Sequence, residues 1–149
     1  MSKALLLVYE RLQDQEEQAR NVYLAAKNAE ANFERQLDAL NQYRSIYSNE
    51  LQERGNQGVV STLTFEHYTS FINRLDKISA EQLDGLKKIR LETQDKYDKY
   101  KELEAKRKAI ELLLEKQKNT KLKKQAIQEQ KMSDDLNVNR FFQKTNKEF

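Results

Sequence analysis

Residues that could do chemistry are few and thinly spread. A single histidine, His67, stands in a chain with no cysteine, so neither a His/Cys metal site nor a thiol nucleophile can be assembled. Gly55 and Gly58 are the only close pair of glycines, and no Gly-Lys-Ser/Thr ending follows to make a phosphate loop. Asp and Glu are abundant, yet they fall four residues from Lys or Arg, as in Glu92–Lys96 and Asp95–Lys99. That spacing clothes a helix surface with ion pairs. His67 reads as a solvent-facing residue near a helix start. The residues therefore predict no catalysis, no metal and no cofactor.

Two stretches have spacing suited to partners instead. Phe71, Leu75, Ile78 and Gln82 recur at four, three and four residues, which lines them along one helical strip. They are either part of a broad seam or an exposed docking patch, because a two-stranded coil has no third layer to cover a Phe. Lys116, Lys118, Lys121, Lys123 and Lys124 form a run without an acid. Such a run is a solvated helix face or a contact for an acidic protein. It lacks the interleaved aromatics of a single-strand binder and the wide apolar face of a membrane-lying helix.

The elements that must carry these stretches follow from the punctuation. No Pro occurs, and two of three Gly fall within Glu53–Ser61. Long segments of helix formers flank this one break. The chain is predicted to be all-α, a long antiparallel two-helix coiled coil (a helical hairpin) in a single domain over 1–149. Its expected parts are a helix over 3–54, a turn over 55–63, a helix over 64–131 and a flexible tail over 132–149. The first helix would be roughly 78 Å long at 1.5 Å per residue. Its seam is predicted to alternate three and four residues from Leu5, through Val8, Leu12, Gln15, Ala19, Val22, Ala26 and Ala29, to Phe33, Gln36, Leu40, Tyr43 and Tyr47. That sustained period predicts a left-handed supercoil. The second seam reads Phe65, Tyr68, Ile72, Leu75, Ser79, Gln82, Leu86, Ile89, Thr93, and onward to Leu114. Pairing Leu51 with Phe65 sets Gly85 across from the small residues Ala26–Ala31. Ser61 or Thr64 can cap the second helix, with Glu66 expected in its first turn. Beyond Leu114 this helix should overhang the first by roughly 15–20 residues, about 25–30 Å.

Composition agrees with a thin seam rather than a thick core: 34% charged, 38% hydrophobic and no Trp, with a mean hydropathy of −0.97. Residues 1–54 hold seven Lys/Arg against nine Asp/Glu, and residues 55–149 hold twenty against fifteen. This mild asymmetry is too weak for a nucleic-acid partner. No apolar run approaches the roughly 20 residues of a membrane span. The apolar stretch at Ala4–Val8 is too short for a signal peptide. A cytoplasmic protein without membrane insertion is the expectation.

Three segments, taken together, resemble a known family. Leu37-Asp38-Ala39-Leu40-Asn41-Gln42-Tyr43-Arg44-Ser45-Ile46-Tyr47 is similar to the Leu…Leu-x-x-Tyr-Arg-x-x-Tyr segment before the turn in the FliJ family. Tyr68-Thr69-Ser70-Phe71-Ile72-Asn73-Arg74-Leu75-Asp76-Lys77-Ile78 resembles its Tyr-x-x-Phe-Ile-x-x-Leu-x-x-x-Ile/Ala segment. Gln128-Glu129-Gln130-Lys131-Met132-Ser133-Asp134-Asp135 resembles its closing Gln-Lys-x-x-Asp-Glu signature. The likeness spans nearly the whole chain.

The resemblance implies a non-catalytic stalk and general chaperone of the flagellar type III export apparatus. Such a protein sits in the pore of the hexameric export ATPase (FliI-like), touches the cytoplasmic domain of the export gate (FlhA-like) and escorts export chaperones. It would be a cytoplasmic monomer, peripherally associated with the inner-membrane apparatus and serving motility. The family's gate strip corresponds to Phe71, Leu75, Ile78 and Gln82, where Gln82 replaces a His found in some members. One pole of the rod, comprising Leu5, Val8 and Leu12 with Lys116, Lys118, Lys121, Lys123 and Lys124, is expected to enter the ATPase ring. The gate strip is expected near the turn, at the opposite pole. The stalk of a virulence type III secretion system and a self-associating coiled-coil scaffold are the alternatives.

Overall fold

The computed structural model describes residues 3–58 and 60–148, with side chains through Asn146. The described residues form two helices: α1, Lys3–Asn56, and α2, Thr62–Glu148. They pack against each other as a helical hairpin. Gly58 is what ends α1, because among the described residues it alone adopts a left-handed backbone (φ 70°), a conformation that L side chains resist and glycine does not. Its N–H donates to the Gly55 carbonyl at 3.1 Å. Gly55 remains helical. Ser61 then caps α2: its Oγ accepts from the Thr64 N–H at 3.2 Å, and its carbonyl from the Phe65 N–H at 3.0 Å. This is the standard remedy for the orphan donors of a helix start. Helix α2 therefore begins two residues before the expected 64, and Glu66 lies beyond the first turn, which holds no acid.

The segment expected as a flexible tail is helical over its described part, 132–148. Helix α2 does not stop at 131 but continues through Glu148; Phe149 lies outside the described residues. The reason is local. With no Pro or Gly after Gly85, nothing interrupts the backbone ladder. Side-chain pairs such as Gln130 Nε2 to Asp134 Oδ1, 3.1 Å, support it. Low apolar content governs tertiary burial, and a helix can persist without it.

The chain divides into two compact units: Glu16–Glu102, and Met1–Gln15 together with Leu103–Phe149. The first of these, the turn unit, holds the turn and both helix arms beside it. Cross-contacts fix its antiparallel register: Arg44 with Asp76, Phe33 with Gly85, Arg90 with Glu34, and Tyr23 with Tyr97. Its seam is thin. Leu75, Leu86 and Thr93 are the buried residues among those described, and the buried Thr93 hydroxyl is satisfied by the Ile89 carbonyl at 2.8 Å.

The α2 stripe is the expected one, from Tyr68 and Ile72 through Ile89 and Thr93, except that Phe65 is exposed. The α1 stripe needs correction. Of its alternate positions, Val22, Gln36 and Tyr43 face solvent while Tyr23 and Leu37 are half-buried; Ala29 is half-buried as expected, with Glu30 half-buried beside it. The positions Ala19, Ala26, Phe33, Leu40 and Tyr47 stand as expected. The expected pairing of small residues at Gly85 is also corrected, since the Phe33 ring lies against it. In the second, terminal unit, the half-buried positions up to Leu114 are Leu5, Tyr9 and Leu12 of α1 and Leu103, Glu104, Arg107, Ile110 and Leu114 of α2. Past Leu114 the side chains of α2 are exposed, save Thr145, among the described residues.

Candidate functional site

The corrected seam makes the two flanks of the turn unit chemically different. On one flank stand the ion pairs. Arg44 Nε meets Asp76 Oδ1 at 2.5 Å, with Nη2 to Oδ2 at 3.4 Å. Arg90 bridges Glu30 at 3.4 Å and Glu34 at 3.1 Å. The Asp76 carboxylate, by hydrogen bond and by charge, raises the Arg44 pKa above its ordinary value. Tyr23 completes this flank, with its ring 5.2 Å from Tyr97 and 6.3 Å from Tyr100.

The other flank carries apolar side chains. Phe71 is 38% and Ile78 43% exposed, and each precedes a seam residue, Ile72 and Ser79. From α1, Tyr43 joins them one residue before Arg44. Ile78 and Gln82 with Gln36, Ala39, Leu40 and Tyr43 line an open groove of about 280 Å³. Gln82 Oε1 and Ser79 Oγ are buried atoms without a hydrogen-bond partner. A groove with apolar walls and an unsatisfied acceptor is suited to receiving another protein's side chains.

The expected strip is thus resolved residue by residue. Phe71 and Ile78 are exposed. Leu75 is buried in the seam, and Gln82 is half-buried at the groove floor. Phe71 is not wholly bare, because its ring packs on Tyr47 with centroids 4.5 Å apart. Tyr47 also meets Tyr68 at 6.2 Å, and the Arg54 guanidinium lies 5.4 Å from the Tyr68 ring. The segments Tyr43–Tyr47 and Tyr68–Ile78 therefore clamp each other through Arg44–Asp76 and Tyr47–Phe71. Sequence reasoning missed this clamp and the contribution of Tyr43. The alternation of charged and aromatic residues at 43, 44 and 47 was the available signal, and it needed the register to be read.

The residues expected to meet the ATPase fall in the terminal unit. Leu5 and Leu12 are half-buried in its seam, whereas Val8 is exposed. Lys116, Lys118, Lys121, Lys123 and Lys124 are all exposed on α2. Thr120 Oγ1 donates to the Lys116 carbonyl at 2.8 Å within this run. Among the described residues there is no group of three His, Cys, Asp or Glu that could hold a metal ion. No described helix is long and apolar enough to cross a membrane.

No curated protein and no solved structure matches the chain. A family model described as Flagellar FliJ protein does match, over residues 1–146, taking in both helices and the clamped segments; the chain belongs to the FliJ family, a non-catalytic part of the flagellar export apparatus.

Proposed function

We propose that this protein is the stalk and general chaperone of flagellar export, joining the ATPase ring to the export gate and escorting export chaperones. The observation that carries the gate contact is the exposure of Phe71 and Ile78 on the flank without ion pairs. A thin hairpin does not need those side chains for its seam, and aromatic anchors of this kind commonly dominate protein interfaces. The lysine run supports an acidic partner, here assigned to the ATPase ring. The protein acts as a monomer at the cytoplasmic face of the inner-membrane apparatus and promotes ring assembly or turnover without chemistry of its own.

The test is a pull-down of wild type and Phe71→Ala with the purified export ATPase and the gate's cytoplasmic domain. Wild type should retain both, and Phe71→Ala should retain the ATPase alone. Failure of wild type to bind either partner would overturn the proposal. Sedimentation separates it from a scaffold role, for which a stable homo-oligomer is required.

A further inference from the structure

The terminal unit carries exposed leucines that neither its seam nor the lysine run explains. Val8 and Leu113 each stand one residue before a seam position, Tyr9 and Leu114. Tyr43 and Ile78 have that same heptad position in the turn unit, where they line one groove. The heptad pattern therefore puts Val8 and Leu113 on a common flank of the terminal unit, and both are exposed. Leu7, 65% exposed, and Leu112, 61% exposed, widen this surface around each helix. Lys116 follows Leu113 by three residues, one turn along the same helix, and opens the run of five lysines without an acid. Exposed large apolar side chains grouped among polar residues mark an interaction surface, and here the acid-free lysine run borders them on the α2 side beyond Glu115.

We propose that Val8 and Leu113, widened by Leu7 and Leu112, form the apolar centre of the terminal unit's docking surface. The lysine run is its charged rim, so the partner is a protein with an apolar socket bordered by carboxylates. This rests on the reading that the terminal unit docks to the export ATPase, and it makes apolar burial, not the lysines, the main source of affinity. Charged rims chiefly govern encounter rate and salt sensitivity, whereas desolvated apolar centres govern retention.

The experiment measures binding of the full-length chain to the purified export ATPase at about 0.05 M and about 0.3 M salt, where the Debye length falls to roughly 6 Å. Three chains are compared: wild type, Val8→Ser/Leu113→Ser, and Lys116→Glu/Lys118→Glu/Lys121→Glu. Gate-domain binding and circular dichroism are measured alongside. The leucine–valine variant should weaken ATPase binding about tenfold or more at both salt levels, with helicity and gate binding unchanged. The lysine variant should be impaired mainly at low salt. If the first variant lowers helicity, Leu7→Ser/Leu112→Ser carries the same expectation from more exposed positions. ATPase binding like wild type in the apolar variants, with loss in the lysine variant, overturns the inference and leaves the docking reading standing. Absence of ATPase binding by wild type at either salt overturns both.

Discussion

The Phe33 ring occupies the notch left by the absent side chain of Gly85: a Cβ at Gly85 would stand 2.8 Å from Phe33 Cε1. That separation is closer than non-bonded carbons tolerate, so the ring would have to move. Replacing Gly by Ala inside a helix ordinarily gains about 1 kcal/mol, while overpacking costs about 1–3 kcal/mol. The prediction is a coupling. With Phe33→Ala present, Gly85→Ala should stabilise by about 1 kcal/mol, and with Phe33 retained it should be neutral or worse. Denaturant melts of the four chains should give a coupling of about 1 kcal/mol or more. Additive effects would show that the ring swings clear freely.

Arg44 and Asp76 form an ion pair across the hairpin, with both side chains 46% exposed. Exposed pairs are screened by solvent and salt. Asp76 raises the Arg44 pKa, so the stabilisation is complete below the guanidinium's unfolded pKa and is lost only as pH rises through its higher folded value. Deprotonation of Arg44 therefore has no effect near neutrality. Arg44→Gln should lower the melting temperature slightly at low salt, and the difference from wild type should shrink as salt rises. A difference that stays constant as salt rises would mean that Arg44 acts through packing of its stem.

Much of the hairpin was legible because one break, Glu53–Ser61, separates two uninterrupted helical segments. The α2 stripe was also legible, since Ile72, Leu75, Leu86 and Ile89 leave little choice of phase. In α1 the phase was harder to read: Val22 and Tyr23 are both apolar, and an unbroken three-four alternation from Leu5 selected Val22 and Gln36 although Leu37 stands beside Gln36. Glu30 shows why. A lone glutamate is a poor seam residue, yet its side chain is only 14% exposed because Arg90 of α2 meets it. Such compensation depends on register, which a single helix does not encode. The spacing of Phe71, Leu75, Ile78 and Gln82 was legible, but their division into exposed Phe71 and Ile78, buried Leu75 and half-buried Gln82 required both helices.

The corrected seam makes a stability prediction. Leu86 is 3% exposed, so Leu86→Ala should cost about 2–4 kcal/mol. Val22→Ser and Tyr43→Ser should each change stability by less than about 0.5 kcal/mol, as solvent-facing positions do. Tyr23→Ser should exceed both, through loss of its contacts with Tyr97 and Tyr100. Chemical denaturation of the four variants decides the matter. Equal losses at Val22 and Tyr23 would restore the original phase.

The far part of α2 gives a different signature. Thr145 is the only described side chain beyond Leu114 that is not exposed, so residues 132–149 should add helical signal without supporting the seam. Truncation after Lys131 is expected to lower total ellipticity in proportion to the residues removed and to leave the melting temperature within about 2–4 °C, the equivalent of roughly 1 kcal/mol or less. A large fall in melting temperature would reveal a packing role for Phe141 and Phe142.

Phe71 is the sharpest probe of the proposed gate contact, because a packing role and a binding role would separate by magnitude. Its ring rests on Tyr47 at 4.5 Å and is still 38% exposed. An aromatic pair contributes about 0.5–1.5 kcal/mol beyond area burial, so Phe71→Ala should lower stability by about 1–2 kcal/mol at most. Truncating a buried interface anchor typically costs about 2 kcal/mol or more, which is roughly a 30-fold loss of affinity at 1.4 kcal/mol per decade. Gate binding should therefore fall by that factor at a temperature where the variant remains folded, with ATPase binding intact. Leu75→Ala is the control for the opposite case: buried in the seam, it should lower stability and both kinds of binding together. If Phe71→Ala loses gate binding only in proportion to its unfolded fraction, Phe71 is an element of the hairpin clamp and the gate contact lies elsewhere on the molecule.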